Sequence, residues 1–265
     1  MTETQDATAF NEVIQEKAPE IANPESNEVH LMRGLIDPSS GEWQTVAVVR
    51  ELTGADEEYL ARVEAKQNVT YAEYMSSLLR RATVSVGSLD IANRPELLDN
   101  LIIGDRDSLF LGIIKCTYGP ERTFQTRCGA CEQKNDITIN LDEDFGYDKP
   151  DVDLRKPIPI TLKSGEVINL RLPTGSDSAY VAKNATSPAH QTTLMISRCT
   201  IWEEGAKPQN IEEWARNLSV VDRNTLVRTL TDLNVGPKIG EVNVQCAHCK
   251  EDIRIVIDWI SLLLG

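Results

Sequence analysis

Two Cys-x-x-Cys pairs, Cys128-Gly-Ala-Cys131 and Cys246-Ala-His-Cys249, stand at corresponding places in two related halves of this 265-residue chain. The segment RELTGADEEYLA at 50–61 recurs as RLPTGSDSAYVA at 171–182, with Arg, Thr, Gly, Asp, Tyr and Ala in register. LIIGDRDSL at 101–109 answers LSVVDRNTL at 218–226, Gly119-Pro120 answers Gly236-Pro237, and Cys128 answers Cys246, these three at separations of 117 or 118 residues. One order of landmarks in both halves is the mark of an internal duplication.

The landmarks carry physical roles. Thr53 with Asp56, and Thr174 with Asp177, have the Thr-x-x-acid spacing of a capping box, which predicts helices near 54–65 and 175–184. Asp105 and Asp222 are N-cap candidates for a second helix that ends at Gly119 or Gly236, each followed by Pro. The first copy of that helix, with Leu109, Phe110, Leu111, Ile113, Ile114 and Cys116, is apolar nearly all round and reads as central. The second keeps one stripe, Leu226, Val227, Leu230 and Leu233. Hairpin patterns precede each capping box, VHLMRGLI to EWQTVAVVREL around the turn 37–41 and IPITL to EVINLRLP around 163–165. TYAEYMSSLLRRA and AHQTTLMISRC read as intervening helices. Arg50 and Arg171 are most economically read as holding a strand-to-helix corner.

Alternating apolar residues flank each cysteine pair: 123–127 with Ile137, Ile139 and Leu141, and Val242 and Val244 with Ile253, Ile255 and Ile257. Each pair therefore caps a hairpin, the knuckle geometry of zinc ribbons. Ordinary ribbons separate knuckles by about 15–20 residues, far fewer than lie between Cys131 and Cys246. Pairing of the two copies about a pseudo-two-fold axis supplies what spacing does not. Cys128, Cys131, Cys246 and Cys249 then form one shared structural Zn²⁺ site. Separate incomplete sites, a metal shared between chains, and free thiols are the alternatives. Redox catalysis fits poorly, because that chemistry sets the first Cys at a helix N-terminus and strands flank these pairs. His248 could replace a cysteine, but the first copy has Ala130 there; Cys116 and Cys199 read as small core residues.

The expected fold class is α+β: two homologous halves, each a β-hairpin, two to three helices and a strand-CxxC-strand knuckle. Residues 1–27 are expected to form an acidic arm, extended or disordered, or docked on a neighbouring subunit. The first repeat spans 28–142, a polar linker 143–156, and the second repeat 157–258. The apolar tail 259–265 packs on the core or enters a partner's groove.

Net charge is −14, which disfavours a phosphate backbone as partner. No stretch approaches a membrane span or a signal peptide. The three histidines form no catalytic motif, and no Gly-rich phosphate loop is present, so neither catalysis nor a small-molecule substrate is expected.

The run at 97–143, LLDNLIIGDRDSLFLGIIKCTYGPERTFQTRCGACEQKNDITINLDE, together with VVRELTGADEEYLAR at 48–62, resembles the base plate protein family of T4-like and related tailed phages. The resemblance covers about 28–143 well and 157–258 more weakly, where Gly104 has no counterpart before Asp222. It implies a non-enzymatic baseplate hub component or hub assembly factor whose partners are other phage tail or baseplate proteins. Such a protein is made in the host cytoplasm and resides in the virion tail. A tail assembly chaperone that leaves before maturation and a nucleic-acid-binding zinc ribbon are the competing classes.

Overall fold

The computed structural model describes residues 27–264 apart from 68, 149–151, 239 and 258. The expected N-terminal arm thus lies outside the described residues, Asn27 excepted.

The first half opens with β1 (Glu28–Ile36) and β2 (Trp43–Val49), followed by α1 (Gly54–Glu64) and α2 (Tyr71–Ala82). β3 (Thr83–Val86) and β4 (Leu89–Asp90) complete an antiparallel sheet ordered β1-β2-β3-β4. A 3₁₀ turn at Pro95–Asn100 leads into α3 (Ile103–Tyr118), then the hairpin β5 (Glu121–Arg127) and β6 (Lys134–Asn140). β7 (Gly146–Asp148) then leads into the second half. β8 (Ile158–Thr161) and β9 (Val167–Leu170) precede α4 (Gly175–Asn184) and α5 (Pro188–Cys199), and β10 (Thr200–Ile201) completes a sheet ordered β10-β9-β8. Then come α6 (Ile211–Asn217), α7 (Val220–Asp232), β11 (Gly236–Lys238), the hairpin β12 (Glu241–Gln245) and β13 (Asp252–Val256), and α8 (Trp259–Leu264).

Local chemistry sets these boundaries. Both capping boxes form: the Thr53 and Thr174 side chains receive the third helical N–H, while Asp56 and Asp177 receive the Thr N–H at 3.0 and 2.9 Å. α3 stops at Gly119, whose φ of 86° suits glycine.

Asp105 and Asp222 are not N-caps. Both sit in the first turn, with Ile102 and Ser219 at the caps. From there Asp105 accepts the N–H groups of Met32 at 2.6 Å and Gly34 at 2.8 Å, pinning α3 to the register shift in β1. Asp222 accepts the Lys163 N–H at 2.7 Å. Gly236 does not end α7, which stops at Asp232; it begins β11, paired antiparallel with β7. The expected linker at 143–156 therefore contributes a strand to the second half, because 146–148 bond 236–238 edge to edge.

Two main apolar clusters result. The first packs α1–α3 and the first sheet together with Cys246, Ile253, Ile257, Leu262 and Leu263 from the chain's end. The second holds Ile168, Leu170, Ile196, Leu226 and Leu230. As expected, α3 is buried nearly all round, and the C-terminal tail packs on the core: Leu262 is fully buried and Trp259 meets Phe110 edge-on. The halves interlock where Ile102 bridges Thr174 and the Ile103 N–H reaches the Pro173 carbonyl at 3.2 Å.

Candidate metal centre

Each cysteine pair caps its hairpin through the same turn. In the first, the Cys128 N–H donates to the Gln133 carbonyl at 3.0 Å and the Glu132 N–H to the Cys128 carbonyl at 2.9 Å. In the second, the Cys246 N–H donates to Glu251 at 2.8 Å and the Lys250 N–H to Cys246 at 3.1 Å. Glu132 and Lys250 both adopt left-handed backbone, φ 59° and 64°. Both turns thus set a non-glycine residue directly after the second cysteine in the left-handed region.

The two tips meet. Cys128 Sγ lies 3.6 Å from Cys249 Sγ, Cys131 Sγ lies 3.7 Å from Cys246 Sγ, and all four sulfurs fall within 4.8 Å of one another. Disulfide sulfurs would be about 2.05 Å apart. A tetrahedron with Zn–S bonds of about 2.3 Å has S···S edges of about 3.8 Å. The cluster is thus compatible with a metal site. Cys128 and Cys246 are buried against the main core, and Cys249 is exposed at the rim. Asn135, which no sequence motif marks, joins the tips: its buried carboxamide oxygen accepts the Ala247 N–H at 2.9 Å. Only its folded position, one hairpin away in space, reveals that role.

N–H groups of Cys249 and His248 draw the Cys246 thiol down to about 6 against the opposing effect of burial. The Cys249 thiol receives the Glu251 N–H, yet hydrogen bonding with Cys131, burial and hydrogen bonding with Cys128 push it up to about 12.

A family model described as T4 bacteriophage base plate protein matches residues 38–263, most of the chain. The chain belongs to that family. No curated protein and no solved structure gives a match. His248 is exposed beside the cluster. Cys199 is buried, its thiol pushed up to about 12 by burial, and Cys116 lies partly buried against the core, so neither joins the four. Among the described residues no helix is long and apolar enough to cross a membrane.

The repeated arginines hold corners. Arg50 makes a two-pronged pair with Asp56 at 2.7 and 3.0 Å and bonds the Arg81 carbonyl at 2.7 Å. Arg171 pairs with Asp177 at 2.6 and 3.0 Å and bonds the Arg198 carbonyl at 2.8 Å. Deeper, Arg106 reaches the Leu98 carbonyl and Ser76 hydroxyl at 3.1 and 2.7 Å, as Arg223 reaches Ala215 and Thr193 at 2.8 and 3.0 Å.

Proposed function

We propose that this chain is a non-enzymatic structural protein of a phage baseplate, a hub component or hub assembly factor, held together by one zinc ion bound to Cys128, Cys131, Cys246 and Cys249. The observation that carries the structural role is the family match over 38–263. The metal reading is supported by two S···S separations of 3.6 and 3.7 Å, about the edge length of a ZnS₄ tetrahedron, within a set of four sulfurs that all lie within 4.8 Å of one another. Bound zinc would fix the tips as a structural cross-link, with Asn135 and the turn N–H groups orienting the sulfurs. The partners are other tail proteins, met during assembly in the host cytoplasm and kept in the virion tail.

The halves, 28–142 and 157–258, are copies of one unit. Matching Arg-Asp corners, matching Arg106 and Arg223 bonds, and the sheet orders β1-β2-β3 and β8-β9-β10 support this. The nearly equal Cys128–Cys249 and Cys131–Cys246 separations, 3.6 and 3.7 Å, are what a local two-fold axis through the metal centre would produce. The test is mass spectrometry of purified particles of the encoding phage against infected-cell lysate. Presence in both at fixed stoichiometry supports a hub component; presence in lysate alone favours the departing chaperone.

A further inference from the structure

In the first half, the chain's own last helix packs into the core beside α3. Trp259 opens α8 and meets Phe110 with ring centroids 5.0 Å apart and planes at 84°. Leu262 and Leu263 are buried in the cluster that holds Leu60, Leu78, Phe110 and Ile113. These four residues correspond in register to Val181, Met195, Val227 and Leu230 of the second half; Phe110 and Val227, for example, each stand four places beyond the repeated Asp-Arg arginine.

Those second-half residues line an open groove of 480 Å³ between α4, α5 and α7. No counterpart of α8 covers it among the described residues, because the knuckle that follows α7 leads its own helix onto the first half. Ile103 and Pro173 form one wall and also make the hydrogen-bonded contact between halves, so the groove continues an established interface. No charged side chain lines it.

We propose that this groove docks a helix of a neighbouring tail protein, one presenting an aromatic residue followed three and four places on by leucines, as Trp259, Leu262 and Leu263 do in the first half. This assignment rests on the reading of the halves as copies: the first half displays the kind of occupant that the second-half groove is shaped to receive. The chain's own α8 is an unsuitable donor, since moving it would uncover Phe110. An uncharged lining that is apolar at its floor and polar at Ser178, Gln191, Thr192, Thr231 and Asn234 suits an amphipathic helix better than a charged strand or nucleic acid.

The test uses the zinc-loaded full chain and a fluorescein-labelled peptide of residues 257–265 carrying three added lysines for solubility. Anisotropy should show saturable binding below about 1 mM, with amide-exchange protection in α4, α5 and α7. Ala182→Arg and Thr192→Glu, at the rim, should each weaken binding at least about tenfold with unchanged thermal melting. Absence of saturable binding would overturn the proposal, as would protection confined to α1–α3. Binding that appears only after removal of residues 1–26 would also overturn it, assigning the groove to the chain's own N-terminal segment. Zinc content measured on the same sample keeps failure of the groove distinct from failure of the paired-knuckle reading.

Discussion

Gly104 lies directly against Val235: a Cβ at position 104 would come 1.2 Å from the Val235 carbonyl oxygen. The start of α3 thereby touches the backbone leading into β11, and the halves close through a contact that only glycine permits. In the second half Val221 stands before Asp222-Arg223 as Gly104 stands before Asp105-Arg106, and its side chain is exposed. Gly104→Ala should lower stability by about 3 kcal/mol despite the better helix propensity of Ala. Gly54→Ala, with nothing within 4 Å of its new Cβ, should change stability by no more than about 0.5 kcal/mol. Denaturant titrations of both variants check this.

Asp56 and Asp177 are wholly buried carboxylates, each gripped by two arginines. Asp56→Ala and Asp177→Ala should each cost about 3 kcal/mol, since removing one partner strands the others. Arg50 holds the Asp56 carboxyl below its ordinary range; at Asp177 burial pushes upward, and Arg171 with Thr174 outweighs it. Their folded pKa values are depressed, so their stabilisation is full above about pH 4 and is lost as pH falls through the folded values. Acid unfolding curves of the variants should be shallower than that of the parent chain.

Asp107 carries the opposite sign. Burial pushes its carboxyl up to about 7, against the pull of Arg106, in a cavity shared with Asp232 and Lys238. A raised folded pKa gives a contribution that is full below about pH 4 and lost as pH rises through about 7. Asp107→Asn should therefore melt higher than the parent at pH 8, with the gap narrowing toward pH 4. Melting series across that range measure it.

The contact between Phe110 and Trp259 secures the chain's end. Leu262→Ala should destabilise by about 3 kcal/mol. A double-mutant cycle on Phe110 and Trp259 should return a coupling near 1 kcal/mol beyond apolar burial.

The sequence disclosed whatever is local. Capping boxes, hairpin alternation and the apolar circumference of α3 each follow from neighbours within a few residues. The repeated Arg-Asp spacing likewise announced both corners. Misplaced features depended on distant partners. An acid in the first helical turn looks like a cap until the N–H groups of 32–34 are seen to claim Asp105. Gly236 followed by Pro looks like a helix stop until β7 arrives beside it. Asn135 carries no motif, and its bond to Ala247 exists only because the two knuckles meet.

That meeting is the centre of the account, and the metal content of the purified chain tests it most directly. Native mass spectrometry, with thiol alkylation before and after chelation, should find one zinc per chain. Cys128, Cys131, Cys246 and Cys249 should be protected until the metal is removed, and Cys249→Ser should weaken retention. No zinc, two ions per chain, or full retention after loss of either cysteine pair would contradict a single site shared between the halves.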